Sequence, residues 1–376
     1  MAVGRSKLMR GRYRGFRRTF RHQVVFDLTN GCRRLASHHN FVQRKEACGV
    51  NARPSKYFAL PFDQVRTASV TTRRNLVSLD NMANPGVDPV PEWDSPGFKE
   101  LIAAIILARK RGCPVIWSMG AHVIKNGLSR YVIELVRRGI VTHVAGNGAS
   151  SIHDFELALL GATSEDVSSA IEDGSFGMWE ETGRYMNEAI RLGAKRGLGY
   201  GASLASYVTA NAAQFPYLQD CVFSETARLG IPYTCHISIG TDIIHQHPSV
   251  DFSALGIASG IDFETFCASV LALNGGVLLN LGSAVSGPLL FKRALAVAHN
   301  VGCWVREFTV ANFDIRPLRG TTVAMPGVVY PSPAEEILIN LPKRLGGIGY
   351  AFHGLHQVTI PNLYAQIVAK WGRDNG

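Results

Sequence analysis

From about residue 80 onward the chain alternates short apolar runs with longer segments of helical periodicity, and no other feature of the sequence limits its fold so strongly. Gly97 to Lys110 reads as a helix capped by Ser95 and stopped by Gly112, after which CPVIWSMG (113–120) reads as a buried strand. The helix Leu128 to Arg138, with Gly139 as its stop, leads to the strand IVTHVAG (140–146). Helices are expected over Ile152 to Leu160 and Met178 to Lys195, and TSEDVSSAIEDG (163–174) also reads as helix. The pattern then repeats as helix Tyr217 to Leu229 with strand 231–240, helix Phe263 to Leu273 with strand 276–282, and helix Leu289 to Asn300 with strand 303–313. Residues 314–350 read as an irregular Gly/Pro-rich segment, and a last helix is expected over Pro361 to Lys370. Parallel neighbours need crossover connections, so five apolar strands separated by helices predict an α/β fold, a Rossmann-like parallel sheet with helices on both faces.

The length of 376 residues and the hydrophobic share of 46% allow a sizeable core. The longest uninterrupted apolar stretch, Leu101 to Ala108, is far below the ~20 residues of a membrane span, so no membrane association is expected. The net charge of +10 is not spread along the chain: residues 1–50 hold 12 Lys and Arg against 2 acids, and subtraction from the totals of 39 and 29 leaves 27 against 27 for the remainder. Residues 1–55 are therefore read as a basic, unpacked tail and 56–376 as a single α/β domain. The tail has three readings: an over-long start, an arm making weak nucleic-acid or phosphate contacts, or an organelle-targeting peptide. The odd number of cysteines, 7, with no CxxC pair points to reduced core thiols and a cytoplasmic location.

In an open α/β sheet ligands collect beyond the carboxyl ends of the strands, where helix amino termini converge, so the residues that follow each strand are the candidates. After the first strand come His122, Lys125, Asn126 and Ser129. After the second, GNGASSIHDFE (146–156) offers Gly146 and Gly148 for close backbone approach, with Ser150 or Ser151 as a helix cap; Ser151 replaces the third glycine of a dinucleotide fingerprint, and no acid ends a second strand. The third exit is GTDIIHQHP (240–248), preceded by His236. In an extended chain His245 and His247 point the same way and Asp242 reaches their pocket, which suits a divalent metal and its activated water. The fourth exit exposes Gly282, Ser283 and Ser286, and the fifth ends at Asn312 and Asp314.

These strings, in this order, resemble the deoxyhypusine synthase family. The resemblance lies in MGAHVIKNGLSRYVIELVRRG (119–139), VTHVAGNGASSIHDF (141–155), the segment ending in GTD (231–242), LNLGSAVSGPLLFKRALAVAHNVG (279–302) and HQVTIPNLYAQIV (356–368). It implies a Rossmann-like NAD-binding domain, a homotetramer with shared sites, and aminobutyl transfer from a polyamine through a lysine imine. It places Asn126, Ser129, Gly148, Ala149, Asp154, Gly282, Ser283 and Ala284 on the cofactor side and Asp242 on the substrate side. The family's lysine does not carry over: near Val250, where it would stand, and anywhere between Lys195 and Lys292, there is no lysine, and a Schiff base needs a primary amine.

The expected function is therefore NAD-dependent chemistry on a polyamine or related amine, by oxidation or aminoalkyl transfer but not by the standard imine route. Catalysis is assigned to His245, His247 and Asp242, with an imidazole as general base. Cofactor binding is assigned to Asn126, Ser129, Gly146, Gly148, Asp154, Gly282, Ser283, Asn312 and Asp314. Lys125 or Lys292 can serve as the amine only if the fold brings it to that pocket. Two other readings stand beside this one: a metal-dependent hydrolase using His236, Asp242, His245 and His247, and a non-catalytic binding protein on the same scaffold.

Overall fold

The computed structural model describes residues 59–316 and 332–375, and Pro61–Gly376 form one compact unit. The basic tail lies outside the described residues, as do Cys32 and Cys48. Six strands, β1 (Val115–Met119), β2 (His143–Asn147), β3 (Tyr233–His236), β4 (Val277–Leu281), β5 (Thr309–Asp314) and β6 (Ile348–His353), form one sheet in the order 3-2-1-4-5-6. Every pairing is parallel. This is the doubly wound order, in which the winding reverses between β1 and β4 and all carboxyl ends share one edge.

The helices are α1 (Phe98–Lys110), α2 (Ser129–Arg137), α3 (Gly148–Leu160), α4 (Val167–Asp173), α5 (Glu180–Lys195), α6 (Tyr200–Ala210), α7 (Val222–Arg228), α8 (Phe252–Leu271), α9 (Ser286–Asn300) and α10 (His356–Asn375). They cover both faces of the sheet, and the strands divide their side chains accordingly. Val115, Trp117 and Met119 belong to one core cluster and Ile116 to the other. Val277, Leu279 and Leu281 are likewise separated from Leu278. The central strands β1 and β4 are buried along their whole length, which explains why they read as continuous apolar runs.

The expected α/β class and its five strands are present, and the structure adds elements that the pattern did not show. At the end of the segment read as irregular begins β6, an edge strand whose residues are mostly half-buried or exposed, so no apolar run marks it. Residues 163–174 are not one helix. Ala162–Glu165 pairs antiparallel with Asn75–Ser78 as a two-stranded ribbon apart from the main sheet, and α4 follows it. Helix α8 begins eleven residues before Phe263 because Asp251 caps it, accepting from the Ser253 and Ala254 amides.

By length and composition α8 is the one helix among the described residues that could cross a membrane. In this fold Leu255, Phe266 and Val270 on it are buried, and Asp262 at its middle accepts hydrogen bonds from the backbone N–H groups of Gly201 and Cys235. The cysteines among the described residues, Cys113, Cys221, Cys235, Cys267 and Cys303, are all free thiols.

Candidate active site

The exits of β1, β2 and β3 line one cavity of about 210 Å³. Lys125 enters it from the β1 exit, Ala149 from the β2 exit, and Thr241, Asp242 and Ile243 from the β3 exit. The remaining wall comes from α3, through Ile152, His153 and Glu156, and from the ribbon side, through Arg73, Ser164 and Glu165. Arg73 and Glu156 form a buried bidentate pair at 2.8 Å, and Glu156 also accepts from the Thr163 and Thr182 hydroxyls. That carboxylate is fully occupied, and it holds the back of the cavity together.

Asp242 is different. It is half-buried, with its Oδ2 enclosed and without a hydrogen-bond partner. A Cβ at Gly148 would overlap its carboxylate, so glycine at the first position of α3 is what lets Asp242 reach this place. Burial holds the Asp242 carboxyl up at about 6. The GNGASS turn is thus no open phosphate cradle. Asn147, not Ser150 or Ser151, is the cap, exchanging bonds with Ser150 (Ser150 N to Asn147 Oδ1 2.8 Å, Asn147 N to Ser150 Oγ 2.9 Å). An acid of the protein's own chain faces the start of the helix.

The expected pairing of His245 with His247 does not form. Ile243–Gln246 is a 3-10 turn, not an extended chain, so alternate side chains diverge. His245 Nδ1 accepts from the backbone N–H groups of Gly240 (3.1 Å) and Asp242 (3.2 Å), which leaves the proton on Nε2, 3.8 Å from Asp242 Oδ2. Burial lowers the His245 pKa, and its Nε2, like Asp242 Oδ2, has no hydrogen-bond partner. His247 Nδ1 accepts from the Ser249 amide, and its Nε2 lies 3.4 Å from Glu180 Oε2, against Gly183 of α5. It anchors the loop to α5, as does Asn187, which donates to the Ile244 carbonyl. His236 bonds Thr234 Oγ1, packs on Phe266 and is held neutral by burial. His236, Asp242, His245 and His247 therefore do not gather, and among the described residues no group of His, Cys, Asp and Glu could hold a metal ion.

Sequence reasoning missed His153. Thr163 Oγ1 donates to Glu156, so it must accept from His153 Nδ1–H at 2.7 Å, and the His153 Nε2 lone pair is left free on the cavity wall. Burial first, with a smaller contribution from Lys125, depresses its pKa to about 4 and keeps the ring neutral. The signal was its position, five residues after Gly148 on the helix that opens at the β2 exit. Asp154 next to it faces elsewhere. Fully buried, it accepts from the Val222 and Phe223 amides (both 3.0 Å) and from Cys221 Sγ, and so caps α7.

The exits of β4, β5 and β6 form a second group. Gly282 adopts φ +68°, and a Cβ there would lie 2.5 Å from His356 Nε2. A Cβ on Gly120 would lie 2.7 Å from the Gly282 carbonyl, so the two loops at the winding reversal touch through backbone alone. Asn280 donates to Asn312 Oδ1 (2.7 Å), Ser283 Oγ accepts from the Gly287 amide (2.9 Å), and Asp314 pairs with Arg316 (2.7 Å). Asn280 Oδ1, His356 Nδ1 and Thr359 Oγ1 are buried without partners. Of the other predicted residues, Ser129 is buried against Met82 Sδ, Gly146 packs against Tyr233 and Ser150, and Asn126 lines a separate surface hollow with Tyr131 and Gln357.

NAD fits the second group better than the first. Glycine backbones that permit close approach, the amino terminus of α9 and neutral orphaned amide, imidazole and hydroxyl atoms match a ligand of amides, hydroxyls and phosphates. The cavity beyond β1 to β3 is too small for a dinucleotide but of a size for a small substrate.

Fold and site together define a Rossmann-like α/β protein with a charged cavity and, beside it, a group of buried neutral polar residues at the carboxyl edge of the sheet. No protein-family model matches the sequence, and no curated protein matches it. Solved structures with a similar chain course include AgrE in ternary complex with ornithine and NAD+ (14% identity, TM-score 0.44, covering 76% of this chain and 35% of that one). They also include a conserved LOR/SDH protein from Methanococcus maripaludis S2 (12%, 0.45, 78% and 76%). A third is a protein assigned as a deoxyhypusine synthase from Entamoeba histolytica (9%, 0.41, 73% and 87%). The chain spans about a third of the length of AgrE.

Proposed function

We propose that this protein is an NAD-dependent enzyme acting on an amine. The observation that carries the reading is Asp242: a buried carboxylate with an unpartnered oxygen, in a cavity at the exits of three parallel strands, is complementary to an ammonium group. A group with a pKa of about 6 is ionised at neutral pH yet close enough to it to exchange a proton with the amine. His245 Nε2 stands 3.8 Å behind that carboxylate, and His153 offers a second acceptor nitrogen on the wall.

Gly282, Ser283, Asn280, Asn312 and His356 would hold NAD, with Asp314 fixing the end of β5. When bound, NAD supplies hydride acceptance. The protein's own residues hold the amine, exclude water through the Arg73–Glu156 wall and take up the proton. Lys125 lines the same cavity as Asp242, which supports a primary amine within reach of the substrate.

Calorimetry of the full-length protein with NAD+ and a panel of amines tests the reading. Heat with NAD+, and amine binding abolished in Asp242→Asn, is the expected result; no heat with either ligand overturns it. The homotetramer, the reducing cytoplasmic location and weak nucleic-acid contact through residues 1–55 belong to the same proposal. Sedimentation would read the first, and loss of salt-sensitive RNA binding on deleting the tail would read the last.

A further inference from the structure

We propose that Thr163 is the positioning residue that sets what the cavity beyond β1, β2 and β3 selects: it fixes His153 as a hydrogen-bond acceptor, so that the ligand must bring an N–H to this wall. The inference rests on the amine reading above and narrows it.

The direction of each bond in the wall is set from its far end. A guanidinium has no acceptor, so Arg73 can only donate, and it does so twice to Glu156 at 2.8 Å. Burial opposes ionisation of Glu156, but the bonds from Arg73 and Thr163 hold its carboxyl below the usual range, and as a carboxylate it can only accept. The single proton of the Thr163 hydroxyl is therefore given to Glu156 Oε2 at 2.6 Å. Toward His153 Nδ1, 2.7 Å away, the same oxygen has only a lone pair to offer, so the ring carries its proton on Nδ1. The neutral ring then turns a bare Nε2 to the cavity. Lys125 lines the same cavity, yet among the described residues it makes no hydrogen bond to that nitrogen.

Thr163 itself does not line the cavity. It is fully buried on the ribbon strand Ala162–Glu165, opposite Val77, and reaches a ligand only through His153. A primary or secondary amine satisfies Nε2 with an N–H. A quaternary ammonium, an ether or a carbonyl has no hydrogen to give and leaves the lone pair unpaired in a confined site. Without the Thr163 hydroxyl the Nδ1 proton loses its acceptor, the tautomer protonated on Nε2 is favoured, and the wall changes from acceptor to donor.

Two measurements on the full-length protein test this. Nitrogen-15 spectra of histidine-labelled protein, with the His153 signals identified by their loss in His153→Leu, should show wild type protonated on Nδ1 and bare on Nε2. Thr163→Val should move the proton to Nε2, and Thr163→Ser should keep the wild-type pattern. Calorimetry with butane-1,4-diamine in the presence of NAD+ should show Thr163→Val and His153→Leu each weakening binding about tenfold, the worth of one hydrogen bond, with Thr163→Ser within about twofold of wild type. The two losses should not add: in the His153→Leu background, Thr163→Val should change the affinity no further. If Thr163→Val does not fold, Thr163→Ala takes its place with the same expectations.

A wild-type His153 protonated on Nε2 would overturn the proposal. So would undiminished diamine affinity in Thr163→Val, or losses that add in the double variant, the mark of a merely structural role. In each of these cases the diamine still binds wild type, and the amine reading stands. Absence of diamine binding to wild type would overturn both.

Discussion

The two halves of the sheet's carboxyl edge are built from the same materials and end in opposite electrostatic states. Beyond β4 to β6, among the described residues, Asp314 is held by Arg316, and the orphaned atoms are a neutral amide oxygen, an imidazole nitrogen and a hydroxyl. Beyond β1 to β3 an ionisable carboxylate lies buried without a partner, and an ammonium lines the same space. Both halves use glycine to bring loops together, Gly148 under Asp242 and Gly282 under His356. Glycine therefore marks close approach at each exit. What the site can bind is set by which polar atoms the approach leaves unsatisfied.

Substitutions that break this comparison can be ranked. The largest effect is expected at Asp154, the fully satisfied counterpart of Asp242. Asp154→Ala removes the acceptor of two α7 amides and a thiol and should cost about 3 kcal/mol in denaturant unfolding, while amine affinity stays unchanged. If ligand affinity falls as far as stability does, the division between structural and ligand-facing carboxylates is wrong.

Next comes Asp242→Asn, with amine affinity reduced about thirtyfold, equivalent to roughly 2 kcal/mol. Its stability should move the other way. The folded carboxyl keeps its proton up to about 6, the unfolded one releases it near 3.8, so between these values the folded state binds more protons and wild-type stability falls as pH rises. The variant lacks that penalty. Its Tm should exceed wild type above pH 6, and the gain should disappear by about pH 4. A Tm difference independent of pH would show that Asp242 is not buried as described.

A smaller effect is expected from Gly148→Ala, whose methyl displaces the Asp242 carboxylate. Amine binding should weaken about tenfold while NAD+ binding holds. Smallest is Gly282→Ala, which forces a side chain into φ +68° against His356 and should cost about 1 kcal/mol of stability and some NAD+ affinity without touching the amine. Equal losses of both ligands in either variant would merge the two halves into one site.

The central strands, the α/β class and the importance of the strand exits were legible because buried parallel strands leave continuous apolar runs and the winding fixes where they end. The missed β6 is an exposed edge in a glycine-rich string, and Ala162–Glu165 is a short, polar ribbon strand, so neither writes a hydrophobic period. The place of Asp242 after β3 was legible, but its neighbours were not. Which nitrogen of His245 carries the proton depends on which backbone N–H groups reach Nδ1, a property of one 3-10 turn that carries no compositional mark. His153 was passed over because its role follows from a chain of bonds through Thr163 to Glu156.

The ribbon of Asn75–Ser78 and Ala162–Glu165 stands apart from the six-stranded sheet, yet Ser164 and Glu165 come from it and Arg73 from just ahead of it. Ser164 holds φ 70°, a left-handed conformation uncommon outside glycine, at the cavity wall. On the proposed reading, selectivity and scaffold are in this way carried by different pieces of chain. Reshaping two short strands can retune the ligand preference of the molecule while the sheet that folds it is left alone.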